Sequence, residues 1–270
     1  QPRDYVSSPG TLWSHYGRFW CFQAPLHPAR RCKCVREIIW YTFYMDKKFK
    51  AIDLTHEILP EIPTWDGSCG FELSINTDYK DCTPPDLFRT QKIKCGAGIG
   101  THIDAPAHVK EGGLTIDKLS LEELITDCIV IDVSSEADEL YVIKPEVIES
   151  FEKQYGEIKP NSFVILYTGW EKYWHNGEKY INNHKFPSID KSTALLLLER
   201  NISGLGIDTL SADTGANGFP VHQAILGAGK YLVENITNAK ALPPVGAKTF
   251  VLPIKIKDAT EAPIRLIAII

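Results

Sequence analysis

Three side chains able to hold a metal ion or move a proton stand close together in the segment Gly96-Ala-Gly-Ile-Gly-Thr-His102-Ile-Asp104-Ala-Pro-Ala-His108. Side chains of an extended backbone alternate between faces. His102, Asp104 and His108 then share one side, while Ile103, Ala105, Ala107 and Val109 face the other. Pro106 cannot donate to a central ladder, so the segment is predicted to be irregular and extended, at a strand end. A second pair, His222 and Glu234, is separated by twelve residues. On one continuous helix that spacing leaves the two side chains about 120° apart and about 18 Å along the axis, too far for one ion. Joint ligation requires the helix to end near residues 229–231 and the chain to turn back, which Gly227 and Gly229 permit. On spacing alone a plainer reading stays open, with His102 capping a turn, Asp104 accepting backbone bonds, His108 and Glu234 at the surface and His222 incidental.

The elements that must position these residues alternate between strand and helix. Ser120-Leu-Glu-Glu123 is a capping box that opens a helix including Leu121, Leu124 and Ile125. Residues 128–133, 162–167 and 204–208 are apolar runs that predict buried strands. Residues 144–155, closed by Gly156, and residues 190–200 predict helices, as do residues 222–232; residues 249–254 and 264–270 predict strands. The pattern predicts the α/β class, as one domain with a central mixed β-structure flanked by helices.

Composition narrows the function. The 270 residues are 44% hydrophobic and 23% charged, enough for a large core. The longest apolar runs, residues 194–198 and 266–270, fall far short of the roughly 20 residues of a membrane span. A net charge of −5 argues against nucleic acid and for a small-molecule partner. Residues 1–44 differ from the rest, with six Arg/Lys against two acids, three of the six tryptophans and three of the seven cysteines. The only methionine, Met45, precedes the first orderly pattern. Residues 1–44 are therefore predicted to be a non-native or targeting extension and residues 45–270 the functional domain. Cys69, Cys82, Cys95 and Cys128 match no C-x-x-C motif and read as free thiols of a reducing compartment. Two sequons occur, at Asn201 and Asn235; a glycan on the second would lie beside Glu234, which favours a cytoplasmic address. No G-x-S-x-G is present, and Gly96-Ala-Gly-Ile-Gly-Thr departs from the dinucleotide spacing.

The segment Gly100-Thr-His-Ile-Asp-Ala-Pro-Ala-His108 resembles the H-x-G-T-H-x-D-x-P-x-H signature of the metal-dependent cyclase-like hydrolases, the family of bacterial-type kynurenine formamidases and isatin hydrolases. Further similar blocks follow in order: Asp53-Leu-Thr-His-Glu-Ile58 with Pro63-Thr-Trp65, Thr168-Gly-Trp170, Gly206-Ile-Asp-Thr-Leu-Ser211, Pro220-Val-His222 with Glu234, and Ala262-Pro-Ile-Arg265. The resemblance covers about residues 50–270. It implies a swivelling-type β/α domain, metal ligands at His102, Asp104, His222 and Glu234, a catalytic histidine at His108, and a homodimer or higher homo-oligomer. One position departs: the first histidine of the signature aligns with Gly98, so a ligand is missing and either one or two ions per chain remain to be expected. Cys95 and His56 are the candidate substitutes.

Two imidazoles and two carboxylates suit Zn²⁺ or Mn²⁺. Such an ion with an open position activates bound water and polarises a carbonyl, the requirement of amide, formamide or lactam hydrolysis. In that scheme His108 is the general acid/base, and Trp65 and Trp170 wall the substrate pocket. The alternatives are a metal-poor binding or regulatory protein on the same fold, suggested by Gly98, and a metal-dependent dehydratase or lyase.

Overall fold

The computed structural model describes residues 49–270 except Cys69 and Asn217; the expectations for residues 1–44 and Met45 lie outside the described residues. Its strands are Ala51–Asp53 (β1), Phe71–Thr77 (β2), Thr90–Cys95 (β3), His102–Asp104 (β4), Ile125–Asp132 (β5), Val142–Ile143 (β6), Phe163–Tyr167 (β7), Ser188–Ile189 (β8), Gly204–Ile207 (β9), Tyr231–Glu234 (β10), Val245–Pro253 (β11) and Glu261–Ile269 (β12). The α-helices are Leu121–Leu124 (α1), Pro145–Tyr155 (α2), Gly177–Ile181 (α3), Lys191–Glu199 (α4) and Pro220–Gly227 (α5).

The order β12-β11-β5-β7-β9-β10-β4, with β4 pairing back onto β12, closes a seven-stranded barrel, and β1 extends β12. β5, β7, β9 and β10 run parallel, and the remaining pairs around the ring are antiparallel. This is the expected mixed β-structure flanked by helices. Its closure goes beyond that expectation, and the strand order does not establish the swivelling-type description.

Alternation along each strand separates two cores. Ile103, Val130, Phe163, Ile165, Tyr231, Val233, Val251, Ala262 and Leu266 fill the barrel. Their sequence neighbours Ile129, Ile131, Val164, Leu166, Leu205 and Leu232 point outward, onto Ile148 and Phe151 of α2, Ala194 and Leu197 of α4, and Val221, Ile225 and Leu226 of α5. The inward positions of β9 are glycines because the large rings leave no room: a Cβ on Gly204 would stand 2.2 Å from Tyr231, and one on Gly206 2.7 Å from Phe163.

Local signals set the helix ends. Pro145 and Pro220 occupy first turns, where a missing N–H costs nothing. Asp190 caps α4 through Ser192 N, and Arg200 at its end donates to both oxygens of Glu152 on α2. Ser120 and Glu123 form the expected capping box, but α1 is one turn long and Ile125 already belongs to β5. The helix expected over residues 222–232 stops at Gly227; Tyr231 begins a strand instead, its alternate residues packing inside and outside the barrel. No helix among the described residues is long and apolar enough to cross a membrane.

Candidate metal and active site

β4 lies between β10 and β12, so its three residues have partners on both sides. His102 pairs with Glu234 and Pro263, and Asp104 with Leu232 and Glu261. Partners across a ladder share a face: Ile103, Val233 and Ala262 turn into the barrel, whereas His102, Asp104, Glu234 and Glu261 share its outer face. His222 joins them from the first turn of α5, and a 3₁₀ turn over Pro106–His108 carries His108 to the rim. The strand ends before Pro106, as the irregular segment expected there requires, and the residues up to His108 form a 3₁₀ turn where an extended backbone was expected. The early end of α5 and the strand that follows place His222 Nε2 3.3 Å from Glu234 Oε1.

Each buried imidazole is oriented by the nitrogen that faces away from its neighbours. His102 Nδ1 donates to Gly100 O at 2.8 Å, which points Nε2 at the carboxylates. Gly100 itself has a left-handed backbone (φ +61°), a conformation that favours glycine. His222 Nδ1 donates to Asp213 Oδ2 at 2.8 Å, and Asp213 also accepts from the backbone N–H groups of Val221 and His222. Asp213 thereby fixes both the helix start and the ring, a common way of presenting a metal-binding imidazole. Asn235 follows Glu234 with φ 56°, donates to Gly100 O and accepts from Tyr180 Oη. The asparagine of the second sequon is therefore buried in the support of the site.

The two carboxylates each span the two histidines. Asp104 Oδ1 lies 3.6 Å from His102 Nε2, and Asp104 Oδ2 lies 3.6 Å from His222 Nε2. Glu234 Oε2 is 3.6 Å from His102 Nε2, while Oε1 faces His222 and accepts from Ala212 N. The three 3.6 Å separations exceed good hydrogen bonds, and Asp104 Oδ1 is buried with no hydrogen-bond partner. Two compact donor groups result, His102–Asp104–Glu234 and Asp104–His108–His222, with ligand atoms within 4.8 Å of one another in each group. An unsatisfied buried carboxylate oxygen among convergent imidazole and carboxylate donors fits a divalent cation.

The protonation pattern follows from the same crowding. Burial chiefly pushes Asp104 up to about 6. Burial would lower His222, but its bonds to Asp213 and Glu234 prevail and raise it to about 10. His102 is likewise driven up by Asp104 and Glu234 against its burial. His108 is raised mainly by its contact with Glu261, 3.3 Å from Nδ1.

A cavity of about 240 Å³ opens over the group, walled by Pro63, Thr64, Trp65, Leu210 and Phe219. Trp65 stacks on His184 with centroids 4.0 Å apart, and with Phe219 it also borders a neighbouring cavity of about 890 Å³. The structure thus brings His102, Asp104, His108, His222, Glu234 and Trp65 to one cavity. It does not bring Trp170: that indole is buried in a separate core with Trp174, Tyr180 and Phe186, donates to Tyr180 O, and is not among the residues that line the cavity over the donor group. Neither expected substitute for the missing ligand belongs to either donor group. His56 stacks on Trp174, and Cys95 is exposed at the end of β3.

Asp213 and Glu261 are absent from the sequence-based set, although each adjoins a segment quoted there. Asp213 lies two residues beyond Ser211, and Glu261 immediately precedes Ala262. Acidic residues flanking such segments were the available signal.

Comparison with known proteins agrees with the geometry. An isatin hydrolase of Roseibium aggregatum is 30% identical over 191 residues, 65% of this chain and 72% of the relative. A kynurenine formamidase of Salinibacter ruber is 24% identical over 80% of this chain and 95% of its own length. The solved structure of isatin hydrolase A from Labrenzia aggregata bound to benzyl benzoate superposes with a TM-score of 0.76 at 26% identity, covering 88% of this chain and 99% of that one. The family model described as "Putative cyclase" matches residues 52–214, more than half of the sequence, and the chain belongs to this Cyclase family.

Proposed function

We propose that this protein is a metal-dependent hydrolase of a small amide, formamide or lactam, with His102, Asp104, His222 and Glu234 holding Zn²⁺ or Mn²⁺ and His108 acting as general acid/base. The observation that carries the reading is the pair of buried carboxylates spanning two imidazoles, with Asp104 Oδ1 unpartnered, at the floor of a small cavity. Relatives named isatin hydrolase and kynurenine formamidase support the substrate class.

A bound divalent ion would supply Lewis acidity toward the substrate carbonyl and a nucleophilic water at neutral pH. The protein's own part is positional. Asp213 and Gly100 O hold the two imidazoles with Nε2 inward. His108, with Nδ1 toward Glu261, has Nε2 available to accept a proton from water and return it to the leaving nitrogen. Trp65 and Phe219 offer aromatic surface to a planar substrate. The same reading takes the chain to be a cytoplasmic homodimer or higher homo-oligomer.

The test is hydrolysis of isatin and of N-formylkynurenine by the full chain supplied with Zn²⁺ or Mn²⁺. Carbon–nitrogen cleavage with uptake of water, lost in Asp104→Ala, supports the proposal. No turnover of either compound or of other small amides and lactams by metal-loaded protein overturns it.

A further inference from the structure

Gly98 leaves room where the cyclase-like signature has a side chain, and the structure shows what fills that room. A Cβ built on Gly98 would stand 2.2 Å from Glu261 Oε1, 3.3 Å from Glu261 Cδ and 3.5 Å from His102 Nε2. Gly98 is not in the left-handed region that favours glycine, and the nearest obstruction to a side chain there is the Glu261 carboxylate. Glu261 is held there by register. It faces Asp104 across the β4–β12 ladder, and Ala262 beside it is locked into the barrel. His108 Nδ1 and Thr260 Oγ1 both approach Oε2, at 3.3 and 3.5 Å, while Oε1 is the atom on the Gly98 side.

We propose that Glu261 is the replacement ligand: Oε1 completes the donor set with His102, Asp104 and Glu234, and Oε2 keeps His108 in place. This rests on the metal-dependent reading above. Glu261 stands outside the two tightest donor groups, and rotation about its side-chain torsions supplies the remaining approach. Asp104, the residue paired with Glu261 across the ladder, has its Oδ1 buried and unpartnered, as a donor to the same ion would be. A nitrogen donor on β4's approach is thus exchanged for an oxygen donor on β12.

The test is calorimetric titration of the chelator-stripped full chain with Mn²⁺ and Zn²⁺, with circular dichroism confirming the fold of each variant. Glu261→Ala should weaken binding at least about tenfold, and the near-isosteric Glu261→Gln should also weaken it. The double variant Gly98→His/Glu261→Ala, in which the obstructing carboxylate is gone, should recover most of the lost affinity. If the parent binds and both Glu261 variants bind equally well, or the added histidine restores nothing, the assignment of Glu261 fails while the metal site stands. If the parent binds neither ion, the metal-dependent reading and this assignment fall together.

Discussion

The inner and outer faces of the same barrel strands obey opposite rules. Inside, Phe163, Val233 and Ala262 are wholly buried apolar groups that require only shape. One residue along the chain, Glu234 and Glu261 face out with His102 and Asp104, and His102 Nε2 stands 3.6 Å from both Asp104 and Glu234, beyond hydrogen-bond distance. Period-2 alternation lets one short strand such as β4 serve both ends: Ile103 anchors it, and its neighbours carry the donors. The stable face fixes the backbone within which the costly face is held, the usual relation between a scaffold and a strained site.

Substitutions should separate the two faces. Phe163→Ala opens a cavity inside the barrel and should cost about 3–5 kcal/mol of unfolding free energy, while metal bound per folded chain stays at the parent value; denaturant titration with metal analysis checks both. On the outer face, His108→Ala should retain the ion and lose about 10²–10⁴-fold in turnover. Equal turnover in variant and parent would remove His108 from the acid/base role. Asp213→Asn, which weakens the partner of His222 Nδ1, should lower metal affinity by about 10–100-fold, measurable by competition with a chelating dye.

The smallest effect reverses sign. Burial holds the Asp104 carboxyl at about 6 in the metal-free protein, above its ordinary 3.8. The folded state therefore takes up a proton that the unfolded chain releases, and this contribution to stability is full below about 4 and lost as the pH rises through about 6. Chelator-stripped Asp104→Asn, which has no such charge, should melt above the stripped parent at pH 7. The gap should close toward pH 4; a gap independent of pH would contradict the account.

Local periodicity sufficed for what is local. The strands around residues 128–133 and 162–167, the helices capped near Lys144 and Asp190, and the Ser120 box all lie within a few residues of their expected places. The pairing of His222 with Glu234 came from the resemblance; spacing alone stated only what joint ligation would require, an early helix end and a turn back of the chain, and the helix does stop early, at Gly227. Barrel closure was out of reach: β4 pairs with β10 and with β12, partners more than a hundred residues away, and no short window carries that information. The strand Tyr231–Glu234 was hidden because it is buried on both faces, where a short apolar run reads equally as helix. Trp170 was misplaced for a similar reason, since an indole suits a core as well as a pocket wall. Glu261 could not be linked to Gly98 without knowing that their elements meet.

The most direct measurement is the metal content of the full chain, purified without chelator, for the parent and for Asp104→Ala, both shown to be folded by circular dichroism. The account predicts one or two Zn²⁺ or Mn²⁺ ions per parent chain and none retained by the variant. A parent that holds no ion even after incubation with Zn²⁺ or Mn²⁺, or a variant that holds as much as the parent, would contradict it.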